Sequence, residues 1–228
     1  MQSGAYRALA KRIVTLGPRA PFLLVHRAVW YVARRLLGPR HFELGDTSYP
    51  YLVHPFILDN ERAVEIPMAS VVARRGGRVL EVGNVLSAYA DFGQTVVDKY
   101  EEAPDVLNVD IVDYRPSHRF DTVVSISTLE HVGRDEQPQQ PEKALVALAH
   151  LETLLKPGGR LLVTIPTGYN SALDHALATG RLDRFAIRCL ERFGRWNAWR
   201  ETTLDTALTR GYGSTYPCAN ALVVLTRE

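Results

Sequence analysis

The sequence predicts an α/β fold with an open, mostly parallel sheet and helices on both faces, and three observations support this prediction. Short runs rich in Val, Leu and Ile recur along the middle of the 228-residue chain, and such runs suit strands that are buried on both faces. A helical pattern at 141–155 separates two of these runs, as expected of a strand–helix–strand unit. Hydrophobic residues make up 46% of the chain and charged residues 23%, a balance typical of a globular protein with a packed core.

The first 40 residues form a basic arm, which we group with the loop that follows as a segment 1–58. The arm holds eight Arg or Lys and no acidic residue, so it carries +8 in a chain whose net charge is +2. Phe22, Val25, Val29, Val32 and Leu36 recur every three or four residues, which predicts an amphipathic helix. We expect this apolar face to pack on the main domain or on a second subunit, as in a homodimer. Attachment to a membrane surface is the less favoured alternative.

Charge and cysteine content argue against several classes of protein. Outside the arm the chain is acidic, because +8 in the arm leaves −6 for the other residues, and this argues against a nucleic-acid partner. Charged residues interrupt the apolar stretch 21–37, so it lacks the roughly 20 apolar residues of a membrane span. Cys189 and Cys218 lie 29 residues apart with no nearby Cys, which favours neither a disulfide framework nor a zinc ribbon. We expect a cytoplasmic protein.

The predicted elements follow the order of an α/β sheet. A loop at 45–55 precedes a helix that starts near Asp59 and Asn60, ends at about Arg75 and should be kinked or split at Pro67. Strands are predicted at 78–82, 95–98, 106–109, 120–126, 160–166 and 221–226. The segment 185–193 fits a helix or a strand, and the pattern leaves that choice open.

Acidic residues lie at the carboxyl ends of the first two predicted strands. Glu81 precedes a turn at Gly83, and Asp98 ends the second strand. Ligands of open α/β sheets bind outside the carboxyl ends of the strands, where an acid on the second strand accepts hydrogen bonds from ribose hydroxyls. The residues after Gly83 are Asn-Val-Leu-Ser, so the GxGxxG of dinucleotide-binding proteins is absent. A Rossmann-type NAD(P) oxidoreductase is therefore a disfavoured alternative.

Taken together, these segments resemble the motifs of the class I S-adenosylmethionine-dependent methyltransferases. Glu81-Val82-Gly83 resembles their first motif, Asp98 their ribose acid and Asp110-Ile111 their adenine contact. The segment 120–125, followed by Leu-Glu-His-Val at 129–132, resembles their fourth strand and LEHV signature, and 155–163 resembles their fifth strand with its preceding turn. The match covers about 59–170, with the motifs in the family's order and spacing.

The resemblance implies a seven-stranded, Rossmann-like domain at 59–228 that binds S-adenosylmethionine and methylates N or O of a small-molecule acceptor. The cofactor-binding residues that it implies are Glu81, Gly83, Asn84, Asp98, Asp110, Ile111 and Ser125. Val85 and Ser87 stand where the family usually has two further glycines, so we expect the methionine end of the cofactor to be held differently. The first two crossover connections are too short for full helices, which indicates a compact subgroup.

Residues beyond the fourth strand are candidates for the chemistry on the acceptor. His131 is the candidate catalytic base, because a hydroxyl or protonated amine must lose a proton before methyl transfer; a purely structural role is the alternative. Tyr169 and Asn170 lie where the family usually places acceptor contacts, although a simple turn would also suit them.

The acceptor class is inferred from the segment after residue 184. Arg188 and Arg192 precede Trp199 there, and arginines bind phosphates while aromatic rings stack on sugars. A nucleotide-linked sugar would use both, which favours a sugar or amino sugar in natural-product or glycan biosynthesis. The alternative is a solvated arginine face over core tryptophans.

Other functions are less consistent with the sequence. Ser127 replaces the first Glu of the ExxEH metal site found in some methyltransferases, so we expect no metal. The DPPY or NPPY signature of enzymes that methylate base amines is missing, because Ser-Ile-Ser-Thr occupies 125–128. A non-catalytic binding module with the same fold remains a third alternative, disfavoured by retention of Glu81 and Asp98.

Overall fold

An eight-stranded mixed sheet organises the chain, of which the computed structural model describes residues 20–54, 58–216 and 218–227. Helix α1 (Ala20–Leu37) and the hairpin of β1 (His41–Leu44) and β2 (Thr47–Pro50) precede it. The sheet strands are β3 (Val79–Val82), β4 (Thr95–Val97), β5 (Val106–Leu107), β6 (Phe120–Ile126), β7 (Leu155–Pro166), β8 (Ala186–Phe193), β9 (Ala198–Thr202) and β10 (Ala221–Arg227). The accompanying α-helices are α2 (Arg62–Ala73), α3 (Lys143–Leu154), α4 (Ser171–Ala178) and α5 (Leu204–Leu208). Short 3₁₀ turns lie at Leu86–Ala88, Ile111–Asp113 and Leu129–His131.

The strand order is β5-β4-β3-β6-β7-β10-β8-β9, and the first five of these strands are parallel. β10 runs antiparallel to both β7 and β8, and β9 runs antiparallel to β8. The chain crosses from β5 to the other side of β3 when it enters β6, which creates a topological switch point at the carboxyl ends of β3, β4 and β6. The predicted Rossmann-like, mostly parallel α/β sheet is confirmed.

The predicted number of seven strands is wrong, because β9 adds an eighth at the sheet edge. The segment 185–193, left open between helix and strand, is a strand: β8 hydrogen-bonds to β10 on one side and β9 on the other. Trp196 and Asn197 have positive φ angles of 66° and 51° in the turn that brings β9 back along β8. Alternation along β8 places Arg188, Leu190 and Arg192 on one face.

Helix α2 is one uninterrupted helix, so the predicted split at Pro67 is wrong, while the alternative of a kink stays a prediction. Pro67 has no amide hydrogen to donate to the carbonyl of Ala63, one turn earlier. The amide of Leu52 donates to that carbonyl instead, with an N···O distance of 2.9 Å. Asn60, one of the two predicted caps, lies just before the N-cap position, and its side chain accepts from the amide of Arg62 at 3.2 Å.

The predicted loop at 45–55 contains strand β2, which pairs with β1 across a two-residue turn. Leu44 is paired with Thr47, and Gly45 in the turn has φ +60°, which glycine adopts without strain. Phe42 and Tyr51 are buried in the same core cluster as α2. Phe42 and Tyr51 are therefore part of the hydrophobic core. The division of the chain at residue 58 stays a prediction.

Two apolar layers cover the two faces of the sheet. One lies beneath α3, α4 and α5, and the other lies beneath α2 and the hairpin. Helix α3 corresponds to the helix predicted at 141–155. The side chains that it buries are Ala144, Ala147, Leu148, Leu151 and Leu154.

The apolar face predicted for the arm is exposed on α1. Val25, Val29, Val32 and Leu36 are 53–75% exposed, so the expectation that they pack on the main domain is wrong. Contact with the domain comes from the flank of the helix, where the rings of Trp30 and Trp196 lie 4.9 Å apart. The side chain of Phe22 lies outside the described residues, and a second subunit or a membrane surface remains a prediction for this face.

In the described part of the chain, no helix combines the length and apolar character needed to cross a membrane.

We predict that Leu148→Ala lowers the free energy of unfolding by about 2–5 kcal/mol, because it leaves a cavity in the core. Val146 lies on the same helix but is 60% exposed, so Val146→Ala should change stability by no more than about 0.5 kcal/mol. Urea unfolding of both variants measures the difference. Equal effects would contradict the assignment of the two helix faces.

Candidate active site

A buried carboxylate determines the shape of the loop that follows β3. Glu81 is fully buried and accepts hydrogen bonds from the backbone amides of Val85 at 2.7 Å, Leu86, and Ser87 at 3.0 Å. The side-chain amide of Gln94 donates a fourth, at 3.2 Å. Burial raises the pKa of Glu81, and the hydrogen bonds oppose that rise. Glu81 thus holds the loop from behind and is not among the residues that line the cleft; its contact with a cofactor stays a prediction.

The geometry of this loop explains how it can contain one glycine where the methyltransferases that the sequence resembles usually have three. Gly83 has φ +84°, and a Cβ there would overlap the side chain of Thr128. Val85 has φ −109°, which any residue adopts, and the amide of Ser87 is directed to Glu81. Ordinary side chains therefore fit at the two other positions.

A cleft of 520 Å³ opens at the switch point, outside the carboxyl ends of β3, β4 and β6, a size usual for small-molecule sites. Most of the residues predicted to bind the cofactor line this cleft, and so does the predicted catalytic base. They are Gly83, Asn84, Asp98, Asp110, Ile111 and His131. Ser125 is not in this group, because it is fully buried within β6. Sequence reasoning missed Lys99, Thr128, Val132, Asp135 and Glu136 as lining residues, and it assigned Ser127 no role beyond departures from the metal-site and base-amine motifs.

Asp98 follows β4, and one of its carboxylate oxygens accepts hydrogen bonds from backbone amides. Its Oδ1 accepts from the amides of Tyr100 at 2.8 Å and Glu101 at 2.7 Å. Its Oδ2 accepts one long hydrogen bond, 3.4 Å from the amide of Asn84. This oxygen therefore retains the capacity to accept hydrogen bonds from a ligand in the cleft.

Asp110, the predicted adenine contact, belongs to an ion-pair network at the side of the cleft. Its Oδ2 lies 2.6 Å from Nζ of Lys143 and 2.9 Å from Nζ of Lys99, and both lysines also pair with Glu136. Burial raises the pKa of Asp110, but the hydrogen bonds from Lys143 and Lys99 outweigh it and lower the pKa overall. The network ties the end of β5 to the start of α3, and its two lysines carried no recognisable signal in the sequence.

His131 forms a hydrogen-bonded chain with two neighbours at the mouth of the cleft. Its Nδ1 lies 2.6 Å from Oδ2 of Asp135, and the hydroxyl of Tyr169 donates to the same oxygen at 2.8 Å. A carboxylate can only accept, so Nδ1 is the donor in this contact and Nε2 is the nitrogen that Asp135 does not use. Desolvation and the hydrogen bond to Asp135 raise the pKa of Tyr169 to about 12. The arrangement fixes the orientation of the imidazole beside the cleft.

Asn170 is buried and serves the framework. Its side-chain oxygen caps α4 by accepting from the amides of Ala172 at 3.0 Å and Leu173 at 3.3 Å. Its Nδ2 donates to the backbone carbonyl of Glu130 at 3.1 Å, which fixes the segment that carries His131.

Ser127 links the cleft to a polar group under α2. It lines the cleft and has φ +38°, an unusual backbone conformation for a residue other than glycine. Its hydroxyl donates to Oε1 of Glu65 at 2.5 Å, and the hydroxyl of Thr164 donates to the same oxygen at 2.6 Å. Arg62 pairs with Oε2 of Glu65 at 2.5 Å. Glu65, at 0% exposure, is thus fully hydrogen-bonded.

The structure does not bring Arg188, Arg192 or Trp199 to the cleft. Arg188 pairs with Glu201 at 2.8 Å, and Arg192 donates to the carbonyl of Asp59 at 2.8 Å. Trp199 is buried in the core of the sheet. Their contacts are structural, and their role in acceptor binding stays a prediction.

The residues that the structure describes contain no group of three or more His, Cys, Asp or Glu arranged to hold a metal ion.

The fold and the cleft define a Rossmann-like α/β protein with a ligand site at its topological switch point. No family model matches the chain. A comparison with curated proteins found no match either.

Among solved structures, the chain is similar to several N-methyltransferases. NodS from Bradyrhizobium japonicum WM9 is 18% identical, with 73% of this chain and 94% of that one covered and a TM-score of 0.39. The 1,6-didemethyltoxoflavin-N1-methyltransferase of Burkholderia thailandensis, with bound S-adenosylhomocysteine, is 17% identical over 73% and 78% of the two chains, with a TM-score of 0.44. The sugar N-methyltransferase KedS8 from Streptoalloteichus sp ATCC 53650 is 14% identical over 74% and 89%, with a TM-score of 0.39. Because these identities are low, the function is inferred from the site itself.

We predict that Gly83→Ala destabilises the protein more than Gly158→Ala. Both glycines have a positive φ, so each substitution introduces about 1–2 kcal/mol of backbone strain. A Cβ at Gly158 meets open space, whereas one at Gly83 overlaps Thr128, which should add about 1–3 kcal/mol. Chemical denaturation of both variants measures this difference, and equal losses would show that the loop does not pack tightly on Thr128.

Proposed function

We propose that the protein is an S-adenosylmethionine-dependent methyltransferase that methylates N or O of a small-molecule acceptor, with a sugar or amino sugar as the preferred class. The observation that carries the proposal is the carboxylate of Glu81 behind the first loop. In dinucleotide-binding proteins the amides at this turn face a pyrophosphate. Here the amides of Val85, Leu86 and Ser87 all donate to Glu81.

This arrangement disfavours the alternative of an NAD(P) oxidoreductase. A pyrophosphate at the turn would find its amide donors already used and a carboxylate close behind them. A nucleoside without phosphates does not need those donors. S-adenosylmethionine is such a ligand, and the missing GxGxxG is consistent with it.

The residues of the cleft fit the parts of this cofactor. Asp98 would accept hydrogen bonds from the ribose hydroxyls through Oδ2, as the acid on the second strand does in nucleotide-binding sheets. Apolar side chains that suit the flat adenine ring line the same cleft: Val82, Val97, Val109, Ile111 and Val132. When bound, the cofactor supplies an electrophilic methyl group on a positively charged sulfur. The protein's part is to align the acceptor and to exclude water.

His131 is proposed to remove the acceptor's proton. Its Nε2 has the free lone pair, since Nδ1 donates to Asp135. Asp135 stabilises the imidazolium that forms when Nε2 takes up the proton, and the hydroxyl of Tyr169 fixes the orientation of that carboxylate. The ring of Tyr169 packs edge-on against His131, with centroids 4.7 Å apart, and would offer a face to a sugar.

Binding of S-adenosylhomocysteine tests the cofactor assignment. We predict that calorimetric titration detects S-adenosylhomocysteine but not NADH, and that Asp98→Asn weakens its affinity roughly ten- to a hundredfold through loss of charged hydrogen bonds. Asp205→Asn, which changes an exposed carboxylate at the start of α5, serves as the control and should have no effect. Tight binding of NADH would overturn the proposal.

Transfer of a labelled methyl group tests the proton path. His131→Gln should lower kcat about 10²–10⁴-fold for an amino-sugar acceptor, while the affinity for S-adenosylhomocysteine stays within about twofold of the parent. Asp135→Asn should lower kcat in the same direction, because an amide stabilises the imidazolium less well. His118→Gln, at an exposed histidine that does not line the cleft, is the matched control. Unchanged kcat in His131→Gln would remove His131 from the mechanism.

A further inference from the structure

A group of acidic side chains lies where α2 meets the carboxyl ends of β6 and β7. Glu61, Glu65 and Glu130 are 7%, 0% and 1% exposed, and they interact electrostatically with one another. We call these three residues the acidic cluster. Arg62 is the guanidinium within it, and it pairs with Glu65. Among the described residues, these three buried carboxyl groups have one arginine as a permanently charged partner, an imbalance that is costly in a buried site.

Glu130 has an oxygen with no partner among the described residues. Its Oε2 is buried without a hydrogen bond, whereas the carboxylate of Glu65 has three donors and Glu61 accepts from the amide of Ala219 at 3.3 Å. Buried polar atoms are almost always hydrogen-bonded, so an unpartnered carboxyl oxygen marks a place for a donor that the described residues do not supply.

This carboxyl group adjoins the proposed reaction centre. Oε1 of Glu130 lies 3.7 Å from Nε2 of His131, which lines the cleft. Ser127, which also lines the cleft, donates to Glu65 of the same cluster. Aromatic rings stand beside His131, where Tyr169 packs edge-on against Tyr212 with centroids 5.0 Å apart.

The electrostatics of the cluster favour an incoming cation. Burial raises the pKa of Glu130 well above its ordinary value, and repulsion from Glu65 and Glu61 adds to the rise. A positive charge beside Glu130 would relieve this repulsion, and aromatic rings nearby would contribute cation–π attraction. The described residues contain no arrangement that would hold a metal ion, so an organic cation is the better match.

We propose that the acidic cluster binds a protonated amine of the acceptor, so that the substrates of this enzyme are amines rather than neutral alcohols, phenols or carboxylates. The inference rests on the proposed methyltransferase function and narrows its acceptor. The ammonium group donates to Oε2 of Glu130, and His131 lies beside it to take up a proton.

The test uses pairs of probes that differ only in the amine: glucosamine with glucose, cyclohexylamine with cyclohexanol, and benzylamine with benzyl alcohol. Calorimetric titration of the full chain in the presence of S-adenosylhomocysteine should show at least one amine binding tenfold or more tightly than its alcohol. Titration in buffers of different ionisation enthalpy should show proton release with the amine, because Glu130 gives up its proton when the ammonium binds.

Glu130→Gln should weaken binding of that amine at least tenfold, abolish the proton release and leave the alcohol unaffected. Glu61→Gln should weaken it in the same direction, which keeps the test decisive if Glu130→Gln fails to fold. Glu43→Gln, at an exposed carboxylate of β1, is the matched control and should bind as the parent does. Equal binding of amine and alcohol, no binding by any amine, or an unchanged amine affinity in both cluster variants would overturn the proposal.

Separate titration with S-adenosylhomocysteine alone keeps the two proposals distinct. Its failure would remove the methyltransferase function and leave the amine preference to be judged by the probe pairs. If S-adenosylhomocysteine binds but amines and alcohols bind equally, the methyltransferase function is retained and the amine assignment is wrong.

Discussion

The hydrogen bonds between the carboxylate of Glu81 and the loop after β3 are the interaction on which the rest of the site depends. They direct three consecutive backbone amides to the carboxylate, so none of these three amides is free to bind a phosphate in the cleft. They also allow side chains at Val85 and Ser87, because the backbone there needs no positive φ. A short connection of this kind, without a full helix, leaves the cleft at the carboxyl ends of β3 and β4 open.

The residues proposed to bind the cofactor and those proposed to bind the acceptor differ in their balance of acidic and basic groups. On the cofactor side, Asp110 and Glu136 are balanced by two lysines, and Asp98 is stabilised by backbone amides. In the acidic cluster, which contacts the cleft residues Ser127 and His131, the described residues include three carboxyl groups and one arginine. The first arrangement is balanced by residues of the protein, whereas we propose that the second is balanced by a cationic ligand. This contrast connects the geometry of the site to the class of acceptor.

Much of the fold was predictable because it depends on local periodicity: the parallel strands, α3 and the acids at the strand ends follow from patterns within a few residues. The features that sequence reasoning missed depend on contacts between distant segments. Pro67 cannot donate to the carbonyl of Ala63, and the amide of Leu52, from another segment, forms that hydrogen bond instead. The contact of Tyr169 with Asp135, and that of Ser127 with Glu65, form only when separate elements pack together. Arg188 and Trp199 have suitable chemistry for an acceptor site, but the sheet places them elsewhere.

Amide hydrogen exchange in Glu81→Gln tests the central claim most directly. A glutamine keeps one acceptor oxygen and turns the other into a donor, so it cannot satisfy the four donors that Glu81 satisfies. We expect the amides of Val85, Leu86 and Ser87 to lose protection by at least tenfold, while those in the core of α3 stay as protected as in the parent. Unchanged protection of these three amides in a folded variant would show that the loop holds its shape without Glu81 and would contradict the account.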